Sequence, residues 1–533
     1  MRTSSVGAMC IVLLAGCSSS AAPAADPGAL HFPSGFLFGT ASAGFQHEMG
    51  CPTLPASICE DPNSDWYAFV TSAAIQADSG AHLFPNIEPP SAGPGFRELY
   101  ASDLDLARNA LHNNAFRLSI EWSRVFPTPT DGIDGYAALK QAASPQALQW
   151  YHTLFAALHK RGLTPLVTLN HYTLPTWIHD GVGCHQDFAH CTRRGWVDAD
   201  RTIKEISKYA GFCAAEFGAE VDLWATENEP LAVVLPGYML PSDERSNPPA
   251  LMLHQAEAKT VFNALITAHA RMYDAVKAND KVDADGDGQA ARVGLVYAMA
   301  PVRAADPQSA LDVAAARNVF YLWNLAFLDA IALGKRDAAL SGNQVLEPGL
   351  QGRLDFLGIN YYVRVTVTGA DAPVLPDFTP LSTFDPTTIG SGEAYPHGIF
   401  EDVTFAWKRY HLPMIITENG TIWNTEAPNP EGDKGYYVRH LTWLARAIAQ
   451  GADVRGYFVW SMVDNYEWNR GMKIKTGLYA VDPKDPKKLR VRRPTADVYA
   501  AIAGARAVSK TLQDAYPAPE ETWVQGTWEP PTP

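Results

Sequence analysis

The chain has 533 residues, of which 47% are hydrophobic and 19% are charged. This composition is typical of a globular protein and excludes a disordered, collagen-like or coiled-coil chain. The length fits either three or four domains of about 150 residues or one long α/β barrel. The net charge of −15 argues against a nucleic-acid partner, because phosphate binding needs a basic surface. The 14 tryptophans suit either stacking against flat ligands or a large core.

The first residues have the pattern of an export signal. Arg2 gives a positive start, and residues 9–14 form an apolar run that is too short to span a bilayer. The sequence LAGC, which ends at Cys17, resembles the cleavage box of bacterial lipoproteins, in which the cysteine becomes the lipidated N-terminus. A plain signal peptide with a chance cysteine is the alternative.

The lipoprotein resemblance implies a signal peptide over residues 1–16, a lipid on Cys17 and a flexible tether over residues 17–30. The protein would then be exported and anchored to a bacterial membrane, at the outer membrane or facing the periplasm, or it would be extracellular. Membrane contact would be limited to the lipid, because no later stretch is long and apolar enough to cross a bilayer.

Five cysteines remain after the signal and the lipidated position. An exported chain meets an oxidising compartment, where disulfides persist. Cys51 and Cys59 are close in sequence, as are Cys184 and Cys191, and both pairs lie in loop-like sequence, so we expect two local disulfides. Cys213 lies in a helical stretch and is expected to be a buried thiol. No spacing of Cys and His fits a zinc site.

Eight short apolar runs follow one another along the chain, each followed by a stretch with helical periodicity. The runs are Phe36–Gly44, Ala115–Trp122, Pro165–Tyr172, Leu223–Pro230, Arg292–Met299, Asp355–Tyr362, Met414–Gly420 and Gly456–Met462. The helical stretches are Asp103–Asn113, Pro145–Arg161, Ala199–Phe217, Ala256–Asn279, Asp312–Leu333, Glu401–Tyr410, Gly435–Gln450 and Thr495–Ala507. The pattern predicts an α/β fold, with one (β/α)8 TIM barrel over residues 31–510, long βα loops and a Pro-rich tail over residues 511–533.

Polar residues stand at the carboxyl ends of nearly all the predicted strands. In a (β/α)8 barrel these ends meet at one mouth, where active sites lie. Glu229 stands near the end of the fourth run and Glu418 near the end of the seventh, each beside an asparagine. Two carboxyl groups across a pocket suit cleavage of a glycosidic bond, with one protonated and the other ionised. Either residue alone could be a salt-bridged strand end, but the pair within a polar ring favours catalysis.

Several motifs of this sequence resemble those of glycoside hydrolase family 1, the β-glucosidase and β-galactosidase family. WATENEP at residues 224–230 is similar to its acid/base motif, and ITENG at residues 416–420 is similar to its nucleophile motif. Further segments resemble its first, second, sixth and last strands, at residues 36–46, 116–124, 356–362 and 460–468. The resemblance implies a retaining β-glycosidase that hydrolyses terminal non-reducing β-D-glucosides or β-D-galactosides by double displacement through a covalent intermediate.

The resemblance also implies roles for single residues. Glu418 would be the nucleophile, and Glu229 the acid that protonates the leaving oxygen and then activates water. Arg117 and Tyr362 would contact the nucleophile, the guanidinium keeping it ionised and the phenol orienting it. The residues expected around the sugar are Gln46, His171, Asn228, Trp460, Glu467 and Trp468. No cofactor is expected.

Some of these expectations have alternatives. His171 could be an ordinary core histidine, and the tryptophans could simply pack. Glu467 matches the acceptor for the O4 and O6 hydroxyls of the sugar, and a carboxylate there disfavours a 6-phosphate. Residues 170–175 resemble the archaeal-type branch, which often accepts both gluco and galacto sugars. At Tyr172 and Glu227 the chain departs from the usual Trp and the usual apolar residue, which leaves the aglycone preference open.

Asp283, Asp285 and Asp287 begin like a calcium-binding loop, but position twelve of that loop is Gly294, which cannot supply the bidentate carboxylate. The incomplete match favours a solvated acidic loop, with a structural calcium site as the alternative, and no catalytic metal is expected. Two other functions would use the same site residues, namely a tethered sugar-binding lipoprotein that has lost turnover and a transglycosylase. Because both glutamates are present, hydrolysis is favoured over binding alone.

Overall fold

The computed structural model describes residues 26–370, 393–421 and 434–519. The predicted signal peptide, Cys17 and the last part of the predicted C-terminal tail lie outside these residues. Within the described part, no helix is both long enough and apolar enough to cross a membrane.

Eight parallel strands close into a barrel, which confirms the predicted fold. They are β1 (Leu37–Ala41), β2 (Ala115–Ser119), β3 (Thr164–Asn170), β4 (Leu223–Asn228), β5 (Arg292–Met299), β6 (Phe356–Tyr361), β7 (Met414–Asn419) and β8 (Val454–Val459). Each strand pairs with the next one along the chain, and β8 pairs with β1 to close the barrel. Because parallel neighbours cannot be joined by a tight turn, a long crossover follows each strand.

The main crossover helices surround the barrel. They are α1 (Phe96–Asp105), α2 (Pro145–Lys160), α3 (Ala199–Phe217), α4 (Gln255–Asn279), α5 (Ala310–Phe320), α6 (Ala326–Leu333), α7 (Gly398–Tyr410), α8 (Tyr436–Ala449) and α9 (Pro494–Ala505). A π-helical turn, Tyr321–Leu325, joins α5 to α6. The sequence pattern starts α1 at Asp103, too late, because the buried face of its first turn carries the charged Arg97.

Shorter elements fill the loops between strands and helices. The short α-helices are Gly44–His47, Ala56–Cys59, Asp65–Thr71, Ala73–Ala77, Trp122–Val125, Tyr136–Ala142, Gly181–Gln186, Pro230–Tyr238 and Lys510–Ala515. Most of them lie in βα loops, on the side of the barrel mouth, so the predicted long βα loops are built largely of short helices.

The barrel interior is packed with side chains. Its residues are small or aliphatic, with two phenylalanines, and include Ala41, Ala115, Leu166, Leu223, Ala225, Val296, Phe356, Ile415 and Phe458. A larger apolar cluster fills the space between the barrel and its helices. The filled interior leaves no room for a ligand inside the barrel. A site can therefore form only at the mouth, where polar side chains lie at the carboxyl ends of the strands.

Both ends of the described chain are held more firmly than the sequence predicts. Leu30–His31 pairs antiparallel with Ala507–Val508, and Asp26 Oδ2 accepts a hydrogen bond from the backbone N–H of Lys510. The predicted flexible tether is therefore wrong for residues 26–30. Residues 511–515, at the start of the predicted tail, belong to the helix Lys510–Ala515. The sequence could not show this, because the pairing joins opposite ends of the chain.

Both expected disulfides are present, Cys51–Cys59 and Cys184–Cys191. They close short segments of the βα loops that follow β1 and β3, on the side of the mouth. Cys213 is a buried thiol within α3, as its helical context predicts. The cross-links restrict two loops that border the mouth.

Glu227, near the end of β4, is a buried carboxyl group without a visible partner. It is 1% exposed, and neither of its oxygens accepts a hydrogen bond from a described residue. Burial raises the pKa of Glu227 well above its usual value, and burial alone accounts for the shift. Glu227 therefore holds its proton more tightly than an exposed glutamic acid does.

Replacing Glu227 by methionine is expected to raise the free energy of unfolding by about 1–3 kcal/mol, because an unpartnered polar group leaves the core. The folded pKa is raised, so the wild type loses stability as pH rises above the unfolded pKa of the carboxyl, and the gain should grow with pH. Denaturant unfolding at pH 5 and pH 8 measures both effects. Glu347→Met, at a side chain that is 44% exposed, is the control. A variant no more stable than the wild type would contradict the assignment.

Candidate active site

A cavity of about 330 Å³ opens at the carboxyl ends of the barrel strands. Glu229 and Glu418 both line it. The other predicted residues in its wall are Gln46, His171, Tyr362, Trp460, Glu467 and Trp468. Arg117 and Asn228 are buried behind the wall and contact Glu418 and His171, respectively. The structure thus brings the predicted catalytic and sugar-binding residues together.

Glu418 lies near the end of β7, and donors hold both of its carboxylate oxygens. Arg117 Nη1 donates to Oε1 at 2.5 Å, and the Tyr362 hydroxyl donates to Oε2 at 2.6 Å. Two residues after Glu418 the chain has a glycine, Gly420, because a Cβ at that position would collide with the carbonyl oxygen of Trp460. The carboxylate is therefore fixed in one orientation at the cavity wall.

Opposing effects set the pKa of Glu418. Burial raises it and the nearby Glu229 raises it further, whereas the charge of Arg117 and the hydrogen bond from Tyr362 lower it. The outcome is a pKa raised to about 7. Glu418 therefore changes its charge near neutral pH, and the two donors favour the ionised form.

Glu229 directly follows β4, at the turn into the helix Pro230–Tyr238. Its φ of 45° is left-handed, a conformation that costs a residue with a Cβ about 1–2 kcal/mol. Its backbone N–H donates to the carbonyl of Val296 at 2.9 Å, and Asn360 Nδ2 donates to its Oε1 at 2.7 Å. The Tyr172 hydroxyl donates to its Oε2. These contacts hold the strained turn that presents the carboxyl group to the mouth.

Asn228 joins the surroundings of the two glutamates. Its Oδ1 accepts from Arg117 Nη2 at 2.7 Å and from Asn360 Nδ2 at 3.1 Å. Its Nδ2 donates to the Tyr172 hydroxyl at 3.0 Å and lies 3.3 Å from His171 Nε2. Because Arg117 contacts one glutamate, and Asn360 and Tyr172 contact the other, Asn228 fixes their relative positions.

Glu467 places a third carboxylate in the cavity wall. Gln46 Nε2 and Asn465 Nδ2 donate to its Oε2 at 3.0 and 2.7 Å, and Arg245 Nη1 donates to its Oε1 at 3.3 Å. Thr476 donates to Asn465 Oδ1 at 2.6 Å. Glu467 is therefore oriented as an acceptor for hydroxyl groups.

His171 lies between the two predicted aromatic walls. Its ring centroid is 5.8 Å from that of Trp460 and 5.9 Å from that of Trp468, and the planes are nearly parallel. Trp468 also stacks on Phe45 at 5.5 Å, so it packs in the core as well as lining the cavity. Burial lowers the pKa of His171 well below its usual value, so the ring is neutral. His171 Nδ1 and Gln46 Oε1 are buried and find no hydrogen-bond partner among the described residues, so both suit a polar ligand.

Comparison with known proteins agrees with this geometry. Residues 29–507 match the sequence profile of glycosyl hydrolase family 1. The chain belongs to this family. It is 33% identical to the beta-galactosidase of Pyrococcus woesei, over 91% of this chain and 99% of that protein.

Solved structures of family 1 enzymes share the fold. The beta-glycosidase of Thermosphaera aggregans has a TM-score of 0.76 and 28% identity, over 91% of this chain and 99% of that one. The beta-glucosidase of Pyrococcus furiosus has a TM-score of 0.75 and 29% identity, over 90% of this chain and 98% of that one. The protein is therefore an O-glycosyl hydrolase of the retaining β-glycosidase type.

Family 1 chemistry needs two carboxyl groups with different proton affinities. The structure gives Glu418 a cationic partner, Arg117. The described hydrogen-bond partners of the Glu229 carboxyl group are a phenol and an amide, which are neutral. A cation stabilises an ionised carboxylate more than neutral donors do. The two residues thus differ in their partners, with a cation beside Glu418 and neutral donors beside Glu229.

The motifs of family 1 did not indicate all the residues that shape this site. Tyr172 was visible only as a departure from the family pattern, although its hydroxyl reaches Glu229. Asn360 stood at a predicted strand end and could have been found from that position. Arg245 lies in the loop after the helix Pro230–Tyr238, where neither periodicity nor a strand end marks it.

The acidic loop before β5 differs from the predicted calcium loop. Carboxylate oxygens of Asp222, Asp283 and Asp285 lie within 4.8 Å of one another, whereas Asp287 pairs with Arg292. Asp222 was absent from the sequence motif, because it lies at the start of β4. Backbone N–H groups of the loop donate to Asp222 and Asp283.

Tyr362→Phe is expected to raise the pKa of Glu418 above its value of about 7, because the ionised form loses a donor. The nucleophile of a family 1 enzyme must be ionised, so the acidic limb of kcat/KM against pH should move to higher pH. Activity at pH 6 should then fall more than activity at pH 8. Tyr136→Phe is a matched control, because Tyr136 also donates to a glutamate but lies on the surface. An acidic limb at the wild-type position would contradict the proposed hydrogen bond.

Proposed function

We propose that the protein hydrolyses terminal non-reducing β-D-glucosides and β-D-galactosides. The observation that carries this proposal is the placement of Glu229 and Glu418 in one cavity, with a cation beside Glu418 and neutral hydrogen-bond donors beside Glu229. The names of relatives agree, since they include a beta-galactosidase and a beta-glucosidase. The same residues would serve a transglycosylase, and no described contact favours that reaction over hydrolysis.

In the first step Glu418 attacks the anomeric carbon and forms a covalent glycosyl ester. Glu229 donates its proton to the glycosidic oxygen, which leaves with the aglycone. In the second step Glu229 takes a proton from water, and the water oxygen attacks the anomeric carbon and displaces Glu418. Two inversions at one carbon give a product with the β configuration of the substrate.

Recognition of the sugar is assigned to the polar atoms of the cavity. Gln46 Oε1 and His171 Nδ1 are buried atoms of cavity-lining residues for which the described residues offer no partner, and Glu467 is held as an acceptor. These groups suit neutral hydroxyls. A 6-phosphate would meet the Glu467 carboxylate and be repelled, so phosphorylated glycosides should be poor substrates.

A panel of aryl β-D-glycosides tests the substrate class. The glucoside and galactoside should both turn over, and NMR of the first product should show the β anomer. Fucoside and mannoside report the importance of the 6- and 2-hydroxyls. If no member of the panel is cleaved while Glu418→Gln binds glycosides as tightly as the wild type, the protein is a sugar-binding lipoprotein instead.

Substitution of the two glutamates should separate their roles. Glu418→Ala is expected to lose activity by about a thousandfold or more with the fold intact, and added azide should restore turnover with an α-glycosyl azide as product. Glu229→Ala should keep activity on substrates with an activated leaving group, and azide should yield a β-glycosyl azide. Product NMR distinguishes the two azides. The same anomer from both variants would overturn the assignment of nucleophile and acid.

We further propose that the enzyme is exported and tethered to a bacterial membrane by a lipid on Cys17. The support is the LAGC sequence after a short apolar run, together with two disulfides in the βα loops, which suit an oxidising compartment. Asp26, the first described residue, accepts a hydrogen bond from the backbone N–H of Lys510.

Cys17→Ser should release the enzyme from the membrane fraction and abolish labelling by radioactive palmitate in a bacterial host. The physical reason is that the acyl chains supply the membrane affinity, so a chain without them stays in water. Cys213→Ser, at the buried thiol, is the matched control and should remain membrane-bound. Membrane association of Cys17→Ser equal to that of the wild type would contradict the anchor.

A further inference from the structure

Arg245 is a cation at the cavity wall that the family motifs do not include. Its side chain is 29% exposed, and its Nη1 donates to Glu467 Oε1 at 3.3 Å. The guanidinium carbon lies 5.1 Å from the ring centroid of Tyr172 and 5.6 Å from that of Trp468. Arg245 thus packs against the rings of Tyr172 and Trp468 while it pairs with the carboxylate of Glu467.

The loop that carries Arg245 is fixed to the segment that carries Glu467. Asn469 Nδ2 donates hydrogen bonds to two carbonyl oxygens of the loop, that of Ser242 at 3.5 Å and that of Asp243 at 3.3 Å. Arg470 pairs with Glu244 at 2.5 Å. The loop therefore sits in a defined position relative to the Glu467 carboxylate.

The contacts of Glu467 are divided between its two oxygens. Oε2 accepts from two neutral amides, those of Gln46 and Asn465, whereas the described donor to Oε1 is Arg245. Burial raises the pKa of Glu467, and among the groups that lower it the charge of Arg245 is the strongest. Without this guanidinium, Glu467 Oε1 would lose its described donor. The negative charge of the buried carboxylate would then have less stabilisation against the cost of burial.

We propose that Arg245 is a positioning residue that sets the preference for the terminal sugar, by holding Glu467 as the acceptor for its O4 and O6 hydroxyls. This role rests on the proposed glycosidase function and refines it. The residue acts through Glu467 and has no part in bond cleavage. It therefore governs which sugar is bound well, and leaves the double displacement itself unchanged.

The alternative that Arg245 binds an acidic group of the substrate is disfavoured by charge. Its guanidinium is already paired with Glu467, and Glu229 and Glu418 lie close enough to stabilise its charged form. An anionic sugar would meet the carboxylates of Glu418 and Glu467 in the cavity wall, and like charges in a buried site repel strongly. Arg245 is thus suited to supporting an acceptor for neutral hydroxyls.

The test compares substrates with and without the 6-hydroxyl. The pairs are aryl β-D-glucoside with β-D-xyloside, and aryl β-D-galactoside with β-D-fucoside. For Arg245→Gln, the preference in kcat/KM for the hydroxylated member of each pair should fall about tenfold, mainly through KM, because a hydroxyl loses a well-placed acceptor. Arg245→Lys keeps the charge and should retain most of the preference.

Two further readouts separate positioning from simple structural support. In Arg245→Gln, glucoside turnover should decline at acidic pH more steeply than in the wild type, because Glu467 is protonated more readily without the cation. Arg201→Gln is the matched control. Like Arg245, Arg201 pairs with a carboxylate, that of Asp131, and lies over an aromatic ring, that of Trp177, but it does so on the surface. Its substrate preference should equal that of the wild type.

Several outcomes would overturn the role of Arg245. One is that Arg245→Gln loses kcat/KM equally on both members of each pair, so that the preference is unchanged. Another is that the wild type cleaves a β-glucuronide faster than the glucoside, whereas Arg245→Gln does not. All of them require turnover by the wild type, which is measured first. A wild type without turnover would instead refute the proposed function.

Discussion

The buried ion pair between Arg117 and Glu418 is the interaction on which the rest of the site depends. Both side chains are nearly inaccessible, at 0% and 5% exposure, so each charge would be very costly without the other. Arg117 also donates to Asn228 and to Thr168 Oγ1 at 3.2 Å. One guanidinium on β2 thus connects residues of β3, β4 and β7 at the mouth. The same contacts that compensate a buried charge also fix the position of the nucleophile.

The second glutamate, Glu229, is held by different contacts, and this difference follows from the backbone geometry at the two positions. Glu418 lies within β7, and its side chain reaches Arg117 and Tyr362 at the cavity wall. Glu229 lies one residue beyond β4, in a left-handed turn, and reaches the cavity from the rim, where Tyr172 and Asn360 meet it. One carboxyl group is therefore held by charge and the other by neutral hydrogen bonds. A retaining glycosidase needs this asymmetry, because one group must give up its proton while the other keeps it.

The sequence predicts those parts of the molecule that repeat or that follow from the strand pattern. All eight strands were found from apolar runs, and the catalytic glutamates from their position at strand ends. Arg245 could not be found in this way, because a loop residue acquires its place only through tertiary contacts such as those of Asn469. The ordering of residues 26–30 has a similar cause, since their partners come from the other end of the chain. Glu227 shows a third limit: the pairing of β4 shifts register between Ala225 and Asn228, so alternation does not fix where that side chain lies.

Tyr172 links the two levels of the site, the strand ends that carry the chemistry and the loops that shape the cavity. Its hydroxyl donates to Glu229 and accepts from Asn228, and its ring packs against Arg245, the partner of Glu467. A tryptophan here, as is usual in the family, would keep an aromatic face for the cation and one N–H donor, but it could not accept a hydrogen bond. The tyrosine can do both, so in this chain the acid and the sugar-binding carboxylate share one intermediary. The proton donor and the pair of Arg245 and Glu467 therefore have Tyr172 as a common neighbour, which contacts Glu229 through its hydroxyl and Arg245 through its ring.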